Sequence, residues 1–96
     1  MRIVWTLQAK EDLREIKAFI ARDAPFTAVA FVQRLKRAVD DLQGFPGRGR
    51  VVPEIGKPEI RELIRGNYRI IYRFRQERVE ILTVFHGDRL LTKDDL

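Results

Sequence analysis

The stretch RELIRGNYRIIYRF, residues 61–74, decides the fold, because its arginines at Arg61, Arg65, Arg69 and Arg73 recur at every fourth position. A period of four aligns side chains on a helix, yet any even period also keeps them on one face of a strand. Gly66-Asn67 resolves the choice. A Gly-Asn pair between two segments rich in β-branched and aromatic residues is a favoured two-residue hairpin turn, whereas a helix would carry both residues in mid-span. The stretch therefore reads as two antiparallel strands. Such a turn sets Ile64 opposite Arg69 and Leu63 opposite Ile70, so Tyr68, Ile70, Tyr72 and Phe74 form a core face together with Leu63. Arg61 and Arg65 fall on the Leu63 side. Arg69, Ile71 and Arg73 take the outer face with Ile64, and the four arginines are divided.

Working outward, RIVW (residues 2–5) is a short strand ending at Thr6, a good helix N-cap. In TLQAKEDLREIKAFIARD the apolar positions Ala9, Leu13, Ile16 and Ile20 predict a helix over about Leu7 to Arg22, with Glu11, Asp12 and Glu15 in the early turns that suit acids. Asp23 and Pro25 supply a cap and a first-turn proline for a second helix striped by Ala28, Phe31, Val32, Leu35, Val39 and Leu42. Gly44 and Pro46 stop it. Residues 44–58, GFPGRGRVVPEIGKP, read as an irregular connection. RVEILTVFHG, residues 78–87, is the last strand. The order is β-α-α-β-β-β, an α+β chain forming one domain over residues 1–96, because a helical hairpin needs a sheet to cover its shared apolar face.

Along the last strand Val79, Ile81, Thr83 and Phe85 alternate with Glu80, Leu82, Val84 and His86, and neither set is polar. A sheet with one solvated face should alternate cleanly. The outer face then combines Ile64, Ile71, Leu82 and Val84 with Arg69, Arg73 and His86, which suits an acidic amphipathic partner. In the alternative, RLLTKDDL folds back over this face with Leu90 and Leu91 as cover. The partner reading is favoured, and under it Arg69→Ala and Arg73→Ala weaken binding with the fold intact.

Ninety-six residues suffice for one modest core. The absence of cysteine excludes a disulfide framework and thiolate metal sites, and fits a reducing compartment. No apolar run approaches the ~20 residues that span a bilayer, and MRIVWTLQAKEDL meets charge too early for a signal peptide, so a cytoplasmic location is expected. The net charge is +5, and residues 44–78 alone carry nine basic and four acidic side chains. Such clustering suggests an anionic partner, or else a solvated surface. There is no phosphate-loop signature, zinc spacing or acidic metal cluster, so neither a cofactor nor a metal is indicated.

The element order, LQGFPGRGR at the end of the helical hairpin, RELIRGNYRIIYRF and the closing ILTVFHGDRLL together resemble the RelE/ParE superfamily of bacterial toxins from type II toxin-antitoxin systems. The resemblance covers nearly the whole chain. It implies a two-layer fold, a curved antiparallel sheet on two helices with the first strand beside the last. It also implies a ParD-like antitoxin whose C-terminal segment wraps and blocks the toxin, a hetero-oligomer of the two, and contact with operator DNA only through the antitoxin. RelE-like members cut messenger RNA in the ribosome, whereas ParE-like members poison DNA gyrase. The chain looks closer to the ParE side, because RNA-cutting members commonly carry a tyrosine near the C-terminus and HGDRLLTKDDL has none. If it were an RNase, the resemblance would give Arg69 and Arg89 to the phosphate and leave His86 for a proton. As a binding surface the expected residues are Arg69, Arg73, Ile71, Leu82, Val84, His86 and Arg89. A third reading is a degenerate module acting as co-repressor with its antitoxin.

Overall fold

A computed structural model describes residues 1–96. Strand β1 (Arg2–Trp5) leads through Thr6 into helix α1 (Leu7–Ala21), and α2 (Pro25–Asp40) returns antiparallel to it. Strands β2 (Arg50–Val51), β3 (Ile60–Arg65), β4 (Tyr68–Arg75) and β5 (Arg78–His86) complete the sheet. Its order is β1-β5-β4-β3-β2. The fold is the expected two-layer α+β arrangement with the first strand beside the last, but β1 pairs with β5 in parallel, so the sheet is mixed. The connection of residues 44–58 is not wholly irregular either, because Arg50 and Val51 pair with Glu62 and Arg61 as an edge strand.

Local chemistry explains the helix ends. The Thr6 hydroxyl accepts the N–H of Ala9 at 3.1 Å and caps α1 as expected. Asp23 does not cap α2; the N-cap is Ala24, and Pro25 opens the helix unaided. The β3–β4 turn has φ +57° at Gly66 alone of its two central residues, the pattern of a type II′ turn. Its register puts Leu63 opposite Ile70 and Ile64 opposite Arg69, as the sequence predicts.

Two apolar clusters lie on opposite faces of the sheet. The larger joins Ala9, Leu13 and Ile16 of α1 and Val32, Leu35 and Val39 of α2 to Leu63, Ile70, Tyr72, Val79, Ile81 and Val84. The smaller lies on the outer face: Val52, Ile60, Ile71, Leu82, Phe85 and Leu91, with Ile55 at its margin. The chain's own connection and C-terminal segment therefore cover the face predicted to await a partner. Leu91 is 3% exposed beneath them, whereas Leu90 points out at 70%.

A β-bulge explains the mixed last strand. Ile71 pairs with Thr83 and Tyr72 with Ile81, leaving Leu82 as an extra residue. Alternation shifts by one beyond it, so Val84 joins the helix-side core and Phe85 the outer cluster, the reverse of the prediction. The helical layer satisfies the interrupted ladder. The Asp12 carboxylate accepts the N–H of Val84 at 2.9 Å and the Thr83 hydroxyl, and the Thr6 hydroxyl lies 2.7 and 3.0 Å from the carbonyls of Ile81 and Leu82. Asp12 is thus used by β5 rather than by its own helix dipole.

Tyr72 anchors the connection after α2. Its buried hydroxyl donates to the Pro46 carbonyl at 2.7 Å and accepts the N–H of Gly49 at 2.9 Å, and burial raises its pKa. A Cβ at Gly49 would lie 2.4 Å from the Glu62 carbonyl and 2.7 Å from the Tyr72 hydroxyl. Gly49→Ala is expected to lower stability by about 2 kcal/mol, read as a lower urea midpoint with unchanged slope. In the β4–β5 turn Gln76 and Glu77 both have positive φ, 52° and 60°. Replacing them by Asn-Gly, which tolerates that geometry, should raise stability by about 1 kcal/mol in the same measurement.

Candidate functional site

Of the sequence-predicted residues, Arg69, His86 and Arg89 gather around one end of β4 and β5 while Arg73 lies toward the other, and their roles differ from those expected. Arg69 on β4 is 5% exposed. Its Nε donates to Glu62 Oε1 at 2.6 Å, Nη1 to Glu54 Oε2 at 2.7 Å and to the Arg89 carbonyl at 2.9 Å, and Nη2 to Glu54 Oε1 at 3.1 Å. Glu62, 1% exposed, is shared, its other oxygen accepting from Arg50 Nε at 2.6 Å. Register produces this arrangement, because Ile64 opposite Arg69 places Glu62 diagonally beside it on the same face, and Arg50 pairs directly opposite Glu62.

The resulting chain of charges, Arg50–Glu62–Arg69–Glu54, also holds backbone. Glu54 Oε2 accepts the N–H of Leu91 at 2.8 Å, which fixes the C-terminal segment over the outer cluster. Hydrogen bonds from Arg69, joined by the Leu91 N–H, outweigh burial and pull the Glu54 carboxyl from 4.5 to about 2. The same carboxylates raise the Arg69 pKa, Glu54 foremost.

The remaining basic candidates are paired as well. Arg73 donates to Glu80 at 3.1 Å across the β4–β5 ladder. Arg89 pairs with Asp95, and its guanidinium lies 4.5 Å from the Phe85 ring centre, with Arg69 at 5.5 Å from the same ring. The N–H of Thr92 and the Arg89 partner hold the Asp95 carboxyl below its ordinary range. His86 is exposed on the helix side of the sheet, edge-on to Tyr68 at 5.8 Å, with Nδ1 accepting the N–H of Asp88 at 3.3 Å. Ile71, Leu82 and Val84 are buried, the first two under the chain's own cover and Val84 against the helices.

A cleft of about 420 Å³ brings Arg69, His86 and Glu54 together with Arg50, Gly66 and Asp88. Arg73 and Arg89 do not line it. As folded, the cleft offers the Arg69 guanidinium already neutralised by two carboxylates, the more exposed Arg50 guanidinium paired with Glu62, and one exposed imidazole beside Asp88. That set can recognise a polar group but provides no unspent guanidinium at Arg69 for a phosphate. Tyr72 is locked in the core by its two hydrogen bonds and does not reach the cleft. Sequence reasoning passed over Glu54 and Glu62; Glu62 was legible from the turn register, as an acid on a face otherwise built of Ile60, Ile64 and Ile71. No group of acidic or histidine side chains that could hold a metal ion is present, and no helix is long and apolar enough to cross a membrane.

A family model described as ParE toxin of type II toxin-antitoxin system, parDE, matches residues 3–91. The chain is 44% identical over 87 residues to a protein of Sinorhizobium fredii named putative toxin Y4kP, covering 90% of this chain and 88% of that one. It is 34% identical over 90 residues to Caulobacter vibrioides toxin RelE2, with 93% and 98% covered. Among solved structures, a chain of the chromosomal ParDE toxin-antitoxin system of P. aeruginosa superposes with TM-score 0.75 at 26% identity, over 90% of this chain and 95% of that one. A chain of the Mycobacterium tuberculosis RelBE2 toxin-antitoxin complex gives 0.60 at 26% identity, with 88% of each covered.

Two outcomes follow from the ion network. Arg69→Ala, expected from sequence to spare the fold, leaves buried Glu62 with a single partner and should cost about 3 kcal/mol in urea unfolding. Glu54 has a folded pKa below its ordinary value, so its contribution is present above about pH 4.5 and is lost as pH falls toward 2. Glu54→Gln should therefore destabilise the chain by about 2 kcal/mol at pH 7, and the gap from the parent should close between pH 4.5 and 2 in acid titrations of stability.

Proposed function

The chain belongs to the ParE toxin family of type II toxin-antitoxin systems, within the RelE/ParE superfamily, and from that premise we propose that it arrests growth by binding DNA gyrase and is neutralised by a ParD-like antitoxin. The observation that carries the gyrase reading is the state of Arg69. An RNA-cutting site needs fixed positive charge at the scissile phosphate and groups that take and give a proton. Here the guanidinium at that position is committed to Glu54 and Glu62, and the exposed imidazole of His86 has no second proton carrier beside it other than Asp88. Action by binding asks for none of these groups. The antitoxin reading draws on the toxin-antitoxin systems from which both structural neighbours come; operator DNA would be met only through that antitoxin.

Messenger-RNA cleavage is the second reading, favoured by the identity to toxin RelE2 and the likeness to the RelBE2 chain. The two part on expression of the chain alone in bacteria. Gyrase poisoning produces filaments, induction of the DNA-damage response and, with purified gyrase, loss of supercoiling of a plasmid. Rapid loss of translation with cut transcripts and intact supercoiling would replace the gyrase reading by the RNase one, and undisturbed growth would leave a co-repressor module. Co-expression of the ParD-like antitoxin should restore growth in the first two cases.

A further inference from the structure

Charge on α1 is sorted between two flanks. Lys10, Arg14 and Lys17 border a groove with Lys36 of α2, over an apolar floor of Trp5, Leu13 and Val32. Asp12, Glu15, Ile16 and Phe19, at positions i, i+3, i+4 and i+7, form the opposite flank. They make one wall of a cleft of about 400 Å³ against the start of β4 and the end of β5. Aromatic rings supply much of the rest. Tyr68 stands edge-on to His86 with ring centres 5.8 Å apart, Phe85 lies beneath, and Phe19 is 57% exposed instead of joining the core.

The chain itself shows which chemistry suits this cleft. At one end the Arg89 guanidinium lies 4.5 Å from the Phe85 ring centre and pairs with Asp95, so a planar cation meets a ring and a carboxylate together. The remainder of the cleft repeats those elements without a cation. Glu15 is exposed and forms no ion pair. Asp12 is bound only by neutral donors, the Gln8 amide, the Thr83 hydroxyl and the Val84 N–H, so no cation offsets it. His86 accepts the N–H of Asp88 at Nδ1, which leaves the proton of the neutral ring on Nε2 and makes its contribution a ring rather than an acceptor.

We propose that this cleft binds a small ligand bearing an alkylguanidinium group. The cation pairs with Glu15 beside the rings of Phe19 and Tyr68, and the alkyl chain lies against Ile16. An anion is disfavoured, because two carboxylates of α1 line the cleft and its one cation is already held by Asp95. A guanidinium suits the site better than an ammonium, since it is less strongly hydrated and can stack on a ring while it engages a carboxylate at two points. The volume is that of a small-molecule site. The growth-arrest reading does not enter this inference.

His86 is the only histidine of the chain, so its imidazole signals in proton NMR report from the wall of the cleft. Butylguanidinium is titrated at fixed pH and ionic strength, with butylurea as a neutral analogue of similar shape. The expected result is a saturable shift of the His86 signals with butylguanidinium and none with butylurea. Affinity should fall about tenfold in Glu15→Gln and about threefold in Phe19→Ala. Both side chains are exposed, so unchanged thermal unfolding of the variants separates lost binding from lost fold. Glu11→Gln removes the same charge from α1 outside the cleft and should bind as the parent does; an equal loss there overturns the site in favour of general charge attraction. Absence of a saturable shift overturns the site, and equal binding of butylurea overturns the role of the cation. His86 also borders the cleft around Arg69, so a shift that both cleft variants leave unchanged places the ligand there and rejects the present site. Tighter binding of a short arginine-containing peptide than of butylguanidinium overturns the small ligand in favour of a protein segment.

Discussion

Arg69 carries a permanent charge at a position that is 5% exposed, on a strand whose outer neighbours are isoleucine, leucine and phenylalanine. Removing a guanidinium from water is tolerable only if its N–H groups and its charge are both met. Glu62 meets it from the neighbouring strand and Glu54 from the connection beyond β2, so one side chain fixes where both segments lie. Glu54 and Arg69 in turn bind the backbone of Leu91 and Arg89, and the C-terminal segment is drawn across the sheet. The outer cluster of Val52, Ile60, Ile71, Leu82, Phe85 and Leu91 is closed by that cover. A charged network thus sets the position of an apolar core, and the sheet becomes buried on both sides although helices cover only one.

That arrangement explains what the sequence disclosed and what it withheld. The hairpin was legible because Gly66-Asn67 is local chemistry, and a two-residue turn fixes register without reference to the rest of the molecule. From that register, Glu62 beside Arg69 could have been read as well, since both are placed by the same turn. Glu54 could not, because it reaches Arg69 from a connection whose path depends on β2 and on the close approach of Gly49 to Tyr72. The helices were legible from their periodicity, whereas the parallel pairing of β1 with β5 depends on contacts more than seventy residues apart in sequence.

The last strand shows a different limit. Under strict alternation its lack of a polar face reads as a docking surface or as one covered by the C-terminal segment, and the second accounts for Leu82 but not for Val84. An extra residue at Leu82 divides the strand into two halves of opposite phase, and each half then buries its apolar residues normally. A one-residue shift exchanges the two faces of everything downstream. The bulge is stable because Thr6 and Asp12 meet the groups that it removes from the ladder, and both belong to the segment that follows β1. The phase of β5 is therefore set by α1, far away in sequence, and strand pattern alone does not reveal it.

Two consequences for binding follow from where charge is consumed. In residues 44–78, where the basic excess of the sequence lies, Arg50, Arg69 and Arg73 are spent on glutamates, and Arg61 on the carbonyls of Pro58 and Gly49. A local count of basic residues thus overstates the field that this segment presents. The helical hairpin has a smaller formal excess, yet Asp12 is withdrawn into the bulge and Lys10, Lys17 and Lys36 keep no partner beside an apolar floor. Attraction for an acidic ligand depends on uncompensated charge together with surface that can be dried. By that criterion the ion network that buries Arg69 lowers the positive field that the sheet presents, and the uncompensated charge lies on the helical layer beside apolar surface.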